Sequence, residues 1–422
     1  MRKSLIAASI CVGLYPYPPG ARAADISLTS QLSQSADFNS NYFLQNNPPG
    51  EVTSPISTLR VNALARTPTT RFDGTADLSY QTYFGPGVDN FIVTPALNKG
   101  ARVTLDHTEK LTTYNFAAAW RQSQAAPLQL AQTGVATIGG FITSEVIQGG
   151  LRHELTPRDV LSWQNSFTST SFSTPTSFPF TDLSTTGDWT HRVSTTTSLI
   201  PSVQYEQLNY GGPANVEIML WRLMMGMSFQ PSARFSFYAQ AGALVATARQ
   251  NANANLSNVV SPIALPSNPD VLTAAPAFQP AIFLPGGATV AQSGSASAAD
   301  WLANIRATYR FDSTTQVTLV AAQNVSPDSF GNIFKTDSVG VVLSRQVNYS
   351  TSLTFSADAS RFTSIGTVQD FYTAAATYGY RFAREWDSAV SYTFRQRHSD
   401  TAGSANSHGL FVLVRRDVTI IP

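Results

Sequence analysis

Along most of this chain, apolar and polar side chains alternate with a period of two. In 232–245, Phe235, Phe237, Ala239, Ala241 and Ala243 fall on one side, and Arg234, Ser236, Tyr238 and Gln240 on the other. In 300–311, Trp301, Ala303, Ile305, Ala307 and Tyr309 oppose Asn304, Arg306, Thr308 and Arg310. In 349–360, Leu353, Phe355 and Ala357 alternate with Ser352, Thr354, Ser356 and Asp358. This period belongs to a β-strand with one apolar and one polar face. The pattern predicts eighteen strands, at 25–36, 55–66, 71–83, 97–106, 110–122, 143–155, 158–170, 181–192, 194–207, 215–229, 232–248, 299–311, 314–325, 335–346, 348–360, 369–382, 384–397 and 406–417. The pairs before 150 alternate less clearly, which leaves sixteen strands as the alternative.

The connections alternate as well. Short ones fall at 67–70, 107–109, 156–157, 193, 230–231, 312–313, 347 and 383. Longer ones lie between them, the longest at 249–298. "LTPRD" at 155–159 has the Pro and polar residues of a tight hairpin turn. Short turns at one end and long loops at the other predict an all-β fold, a transmembrane up-and-down antiparallel barrel. An even strand count places both termini in the periplasm. A sheet this long must close in lipid, because an open edge leaves backbone groups unpaired in hydrocarbon. Phe72, Phe229, Phe235, Tyr309, Phe311, Tyr349, Phe382 and Trp386 cluster near the turns, as in an interfacial aromatic girdle. A soluble β-helix or sandwich is the alternative, and it would carry more charge outside.

Composition narrows the picture. Charged residues make up 13% of the chain, about half of what a soluble domain carries, ~25%. Arg2 and Lys3, the apolar run Leu5–Leu14 and the small-x-small motif Ala21-Arg22-Ala23 read as a secretory leader over 1–23, leaving 24–422 as one barrel. Cys11, the only cysteine, leaves with it, so the exported chain has no disulfide. No later stretch is apolar for the ~18 residues a spanning helix needs. Lys and Arg number 27 against 26 Asp and Glu, a near-neutral balance that argues against nucleic acid. The bacterial outer membrane, its lipid, and the barrel assembly machinery during biogenesis are the expected surroundings.

"SADFNSNYFL" (35–44) leads into "SPISTLRVNALARTPTTRFDGTADLSY" (54–80), and "WDSAVSYTFRQRHSDTAGSANSHGLFVLVRRD" (386–417) closes the chain with an Arg-bearing strand, a polar loop and a second strand. These stretches resemble the opening loop-plus-hairpin and closing hairpin of the outer-membrane barrel family called beta-barrel porin 2, often associated with exopolysaccharide loci. The resemblance implies a barrel rather than a particular substrate. Many barrels end on an aromatic residue that the insertion machinery reads, whereas this sequence ends "DVTIIP".

A barrel of this size keeps a watery lumen unless something fills it. The alternation turns Arg60, Arg71, Asp73, Asp77, Arg102, Asp106 and Arg121 inward along the first strands. Asp182, Asp188, Arg192, Glu206 and Arg234 follow, then Arg306, Arg310, Asp358, Arg381 and Arg395. Lys99, Lys110 and Lys335 are the only lysines after the leader, so guanidinium supplies almost all the positive charge. Such a wall offers a track for hydrophilic or anionic solutes, possible sugars among them, and Arg–Asp pairs bracing the wall would look the same in sequence. The loop 249–298 has six prolines, and from Gln250 to Ala299 Asp270 is the one charge; Pro262, Ile263, Leu265, Phe278, Ile282 and Phe283 make it apolar enough to fold into the mouth as a constriction. A disordered surface loop is the alternative. Strand 215–229 is apolar on both faces: Met219, Trp221, Leu223, Met225 and Met227 toward lipid, and Ile218, Leu220 and Met224 inward, where a folded loop or an oligomer contact could cover them.

Enzyme chemistry is not expected. His107, His153, His191, His398 and His408 are scattered without metal-ligand spacing, and no cofactor motif or nucleophile elbow is present. Asp106-His107 reads as turn chemistry rather than a protease dyad, and Asp37, Asn39 and Asn41 as an Asx turn rather than a calcium site. Three functions stay open: a channel for hydrophilic solutes, an exopolysaccharide export conduit with periplasmic and inner-membrane partners, and a non-transporting barrel whose outer loops bind or adhere.

Overall fold

The computed structural model describes residues 25–86, 88, 94–126, 139–174, 178–211, 215–250, 283–284, 288–289, 294–327, 333–364, 367–400 and 403–421. The leader expected at 1–23 lies outside them, as do Pro262, Ile263, Leu265, Phe278 and Ile282 of the expected constriction loop. Phe283 belongs to a short pairing, Phe283–Leu284 with Ala288–Thr289, which runs alongside three strands of the wall.

Eighteen long strands form one sheet. They are β1 (Asp25–Asn39), β2 (Val52–Arg66), β3 (Thr70–Gln81), β4 (Ala96–Thr108), β5 (Thr112–Gln124), β6 (Phe141–Glu154), β7 (Asp159–Phe172), β8 (Phe180–Arg192) and β9 (Thr197–Tyr210). The second half holds β10 (Val216–Ser232), β11 (Phe235–Gln250), β12 (Gly294–Arg310), β13 (Thr315–Pro327), β14 (Ile333–Gln346), β15 (Thr351–Ser364), β16 (Thr367–Ala383), β17 (Trp386–Ser399) and β18 (Gly403–Ile421). Each pairs antiparallel with its sequence neighbours, and β1 closes the ring on β18 through Phe38↔Leu410. The eighteen predicted strands are all present, and the sixteen-strand alternative is excluded. Several extend two to four residues beyond their predicted ends at the long-loop side, as where predicted 25–36 runs on to Asn39.

The short connections gather at one end, where both ends of the described chain also lie, Asp25 pairing with Arg66 and Leu28 with Ile421. Local hydrogen bonds hold these turns. At 155–159, the Thr156 hydroxyl accepts from the amides of Arg158 and Asp159 and donates to the Asp159 carboxylate at 2.7 Å. At 312–315, one Asp312 carboxylate oxygen accepts from the amides of Thr314 and Thr315, each at 2.7 Å.

Register assigns the two faces. Leu32, Leu59 and Leu78 sit side by side on β1, β2 and β3, and Val203, Leu223, Ala243 and Trp301 on β9 to β12. The large side chains of both rows are exposed, Leu223 at 68%. A closed barrel with an apolar outer belt suits a hydrocarbon layer. The opposite parity carries the charges and faces the lumen.

Candidate functional site

The lumen wall is built in rows that run around the barrel, because antiparallel register brings side chains of one parity together on one face. One row reads Gln31, Arg60, Asp77, Gly100, Arg121 across β1 to β5. Gly100 leaves room for its neighbour: a Cβ there would come within 2.7 Å of an Asp77 carboxylate oxygen. Another row reads Tyr238, Arg306, Val320, Gly340, Asp358, Thr373, Arg395 across β11 to β17. Arg102 lies beside Thr75 one step from the first row. Asp188 is opposite Ser202, and Asp182 opposite Leu208.

At the short-turn end, Arg66, Arg71 and Asp106 share a row, and Arg71 Nε donates to Asp73 at 2.6 Å. Across the lumen wall there, Asp387 bridges Arg381 (2.9 Å) and Arg415 (2.7 Å) beside a recess of about 290 Å³ that Ser352 and Gln346 also line. Arg192 and Arg310 are the last residues of their strands at this same end. Arg234 is placed differently from expectation. It belongs to the two-residue turn between β10 and β11 and is exposed, because pairing stops at Ser232↔Phe235 and the Ser232 hydroxyl accepts from the Arg234 amide. It does not line the wall.

These contacts bear on the two readings of the arginines. Ion pairs hold Arg71 and Arg381. Among the described residues, none joins Arg60, Arg121, Arg306 or Arg395 to a carboxylate. In register they share their rows with Asp77 and Asp358.

The long-loop half of the lumen contains an apolar patch. Ile218, Leu220 and Leu244 point inward yet are 0% exposed. They pack with Leu208, Leu302 and Val325. In that patch Arg222 pairs with Glu206, and its second terminal nitrogen donates to the Val325 carbonyl at 3.3 Å. One Asp182 carboxylate oxygen nearby has no hydrogen-bond partner among the described residues. Sequence reasoning passed over Arg222. Its signal was there: it shares parity with Ile218 and Leu220, so it points inward from a strand otherwise apolar on both faces.

Val325 is the informative member. Extending the register of β12 and β13 places it opposite Trp301, on the outer face. Instead it is 2% exposed within the lumen patch. Pairing between β12 and β13 ends at Ala303↔Gln323, although β12 continues upward to Gly294 and β13 stays paired with β14 as far as Pro327↔Ile333. The outer end of β13 therefore bends into the lumen. The Gln323 side chain donates to the Trp301 carbonyl at 3.1 Å where the strands part.

Other candidate chemistry separates on inspection of register. Asp106 faces the lumen, whereas His107 faces outward against the Thr70 hydroxyl at 2.8 Å. Asn39 accepts from the Asn41 amide at 3.0 Å and from Ser407 at 2.6 Å, the pattern of an Asx turn. No group of three or more metal-ligating side chains occurs among the described residues.

No protein-family model matches the chain, and no curated protein matches it. Solved structures do. The copper transporter OprC aligns with 91% of this chain at a TM-score of 0.50 and 10% identity, and this chain spans 65% of that protein's length. A BenF-like porin from Pseudomonas fluorescens Pf-5 aligns with 93% of this chain and 99% of its own at 0.49 and 9% identity. Pseudomonas aeruginosa OccK2 (OpdF) aligns with 94% of this chain and 98% of its own at 0.47 and 9%. The likeness to OprC is one of fold.

Proposed function

We propose that this chain is a porin-like channel of the bacterial outer membrane that passes hydrophilic, preferentially anionic, solutes through its lumen. The observation that carries this is the pair of faces on one closed wall: leucines and aromatics outside, and inside rows in which Arg60, Arg121, Arg306 and Arg395 close no ion pair among the described residues. Unpaired guanidiniums in a water-filled bore recruit carboxylate and phosphate groups. The short turns then face the periplasm and the long loops the exterior, with the chain exported by its leader and inserted by the barrel assembly machinery. The likeness of fold to the copper transporter OprC agrees with a barrel. Residues 249–298, through their apolar composition, supply a restriction at the mouth in addition to the bend at Val325.

A conduit for an anionic exopolysaccharide is the second reading. The same guanidinium rows favour it, because they spread around the wall rather than forming one compact site.

Planar-bilayer recording of the refolded mature protein, beside a variant lacking 252–296, tests the proposal. Steady conductance with a reversal potential favouring anions supports the channel. Silence that the deletion relieves assigns the loop as a plug and favours regulated export. Silence in both removes the channel reading.

A further inference from the structure

The chain after β1 turns back on the long-loop end of the wall and is tied to β18. The Ser40 amide donates to the His408 carbonyl, and the His408 amide to the Ser40 hydroxyl, both at 2.9 Å. Asn41 Nδ2 donates to the Asn406 carbonyl at 2.9 Å, and Phe43 and Leu44 are buried. In this corner lies Arg397, one alternation beyond Arg395 on the lumen face of β17. Arg397 is only 5% exposed. Its Nη2 reaches the Asn46 side-chain carbonyl at 3.5 Å, and its Nε has no hydrogen-bond partner. No carboxylate among the described residues pairs with it. Asp37 shares the lumen face two residues before Asn39 but closes no ion pair with Arg395 or Arg397.

A second orphan donor lies beside it. Ser407 is on the lumen face of β18, opposite Arg395 and diagonal to Arg397, and its hydroxyl donates to Asn39 Oδ1 at 2.6 Å. The Asn41 amide also donates to Oδ1, which fixes which end of the Asn39 side chain is which. The other end, Nδ2, has no partner among the described residues, although Asn39 and Ser407 are both buried. Diagonal positions on one face of a strand pair lie about 7–8 Å apart, within reach of an arginine side chain. Both orphan groups of the corner are therefore N–H donors, and the group that satisfies them is an acceptor. Burying a guanidinium without a counter-charge is costly, so that acceptor carries negative charge.

We propose that this corner binds one small monovalent anion of chloride size, held by the Arg397 guanidinium and the Asn39 amide. Enclosure sets the class of ligand. Ala405, directly opposite Arg397, is buried, as are Ser399 and Ser407, so the corner does not admit a solute as large as a carboxylated sugar. A single spherical anion accepts from both donors at once, whereas a neutral water leaves the guanidinium charge unanswered. The ion joins the end of β1, through Asn39, to β17, through Arg397, and so holds the 40–46 loop against the wall. A cation has the wrong sign for this place, because the side-chain oxygens of Asn39 and Asn41 already accept from the amides of Asn41 and Gln45. The site stands apart from the channel reading and does not need it.

Stepwise heating of the refolded mature protein in detergent micelles, read by gel mobility, tests the site. Sodium chloride and sodium bromide are compared with sodium gluconate, whose anion is too large for the corner, at equal ionic strength. Wild type should melt several degrees higher in chloride and bromide. The shift should grow with the logarithm of halide concentration, as for a ligand that binds only the folded form. Arg397→Gln should lose this dependence. Should Arg397→Gln fail to fold, Asn39→Asp decides alone. It keeps the Oδ1 acceptor and places a carboxylate oxygen where the amide nitrogen stood, which supplies the counter-charge from within. Asn39→Asp should be as stable in gluconate as wild type is in chloride, and indifferent to the anion. Wild type that melts alike in all three salts overturns the site, and so does Asn39→Asp that keeps the halide dependence.

Discussion

Lys335 Nζ lies 5.5 Å above the Trp301 ring, although one strand of the wall belongs between them. Across a continuous sheet, residues two strands apart on one face sit about 9–10 Å apart, because neighbouring strands are spaced ~4.8 Å. The long Lys335 stem closes that distance and sets its ammonium between the Trp301 ring and the Asp300 carboxylate. The contact falls near the outer edge of the apolar belt, one alternation above Ala303 and four above Tyr309, where aromatic rings anchor a barrel at the lipid interface.

Replacing Lys335 with Met should leave the fold intact. A partly exposed ion pair contributes about 0–1 kcal/mol and a cation–π contact about 0.5–1 kcal/mol. Losing both shifts the melting temperature by a few degrees at most. A much larger fall, read by gel mobility of heated samples, would show that the Lys335 ammonium also holds the wall together.

Arg222→Met should be far more costly. Arg222 and Glu206 are only 11% and 13% exposed, so removing the guanidinium strands a carboxylate among Leu220, Leu244 and Val325. Breaking one side of a buried pair costs about 3–5 kcal/mol. Arg222→Met with Glu206→Gln should recover most of that loss. Urea midpoints of the vesicle-inserted protein, read by gel mobility of unheated samples, compare the three. A double variant as weak as the single one would show that Arg222 acts chiefly through the Val325 carbonyl.

The barrel was legible in the sequence because its strands are long and alternate cleanly, so small boundary errors did not change strand number or face. Arg60, Asp77, Arg121, Arg306, Asp358 and Arg395 follow from parity alone, and register then assembles them into rows. Arg234 was lost to a boundary error of three residues: predicted strand 232–248 begins at Phe235, and its first positions are turn. The bend of β13 left only a faint mark. In "QVTLVAAQNV" (316–325) Gln323 breaks the outward apolar set of Val317, Leu319 and Ala321 where pairing with β12 stops, but one polar residue does not announce a bend. What decides the bend is a distant apolar patch on β10 and β11 that needs a cover, and local patterning does not encode distance. The sequence did show that Ile218 and Leu220 needed one; the described part of that cover is Val325.

Adjacent positions should separate the two faces. Ile305 faces outward midway between the aromatic residues Trp301 and Tyr309, and Asn304 faces the lumen. Ile305→Arg should destabilise the inserted barrel by roughly 2–4 kcal/mol, the cost of an arginine on the lipid face near mid-bilayer. Asn304→Arg should stay within about 0.5 kcal/mol and increase anion preference. Equal costs would contradict the assignment of faces.

Acid should weaken one turn in particular. Hydrogen bonds from the Thr314 hydroxyl and from the Thr314 and Thr315 amides hold the Asp312 carboxyl below its ordinary range. A depressed folded value contributes stability above the unfolded one, and that contribution is lost as pH falls through the folded value. Wild type should therefore exceed Asp312→Asn in stability at neutral pH, with the gap closing below about pH 4. Refolding yields measured from pH 7 to pH 2 check this; a gap independent of pH would assign the Asp312 role to shape rather than charge.

Gly242 and Gly340 give the sharpest test of packing in the wall. Both lie mid-strand on the lumen face, yet they differ in surroundings. A Cβ on Gly242 would fall 2.0 Å from the Leu223 carbonyl oxygen and 2.6 Å from the Met224 Cα, backbone atoms of β10 that cannot swing away. A Cβ on Gly340 meets nothing nearer than 3.5 Å. Gly242→Ala must push β10 and β11 apart just below Leu220 and Leu244, and overpacking of that kind costs about 1–3 kcal/mol. Gly340→Ala should be neutral within about 0.5 kcal/mol. Paired urea titrations decide the point, and a silent Gly242→Ala would mean that the close approach of β10 to β11 relaxes at no cost.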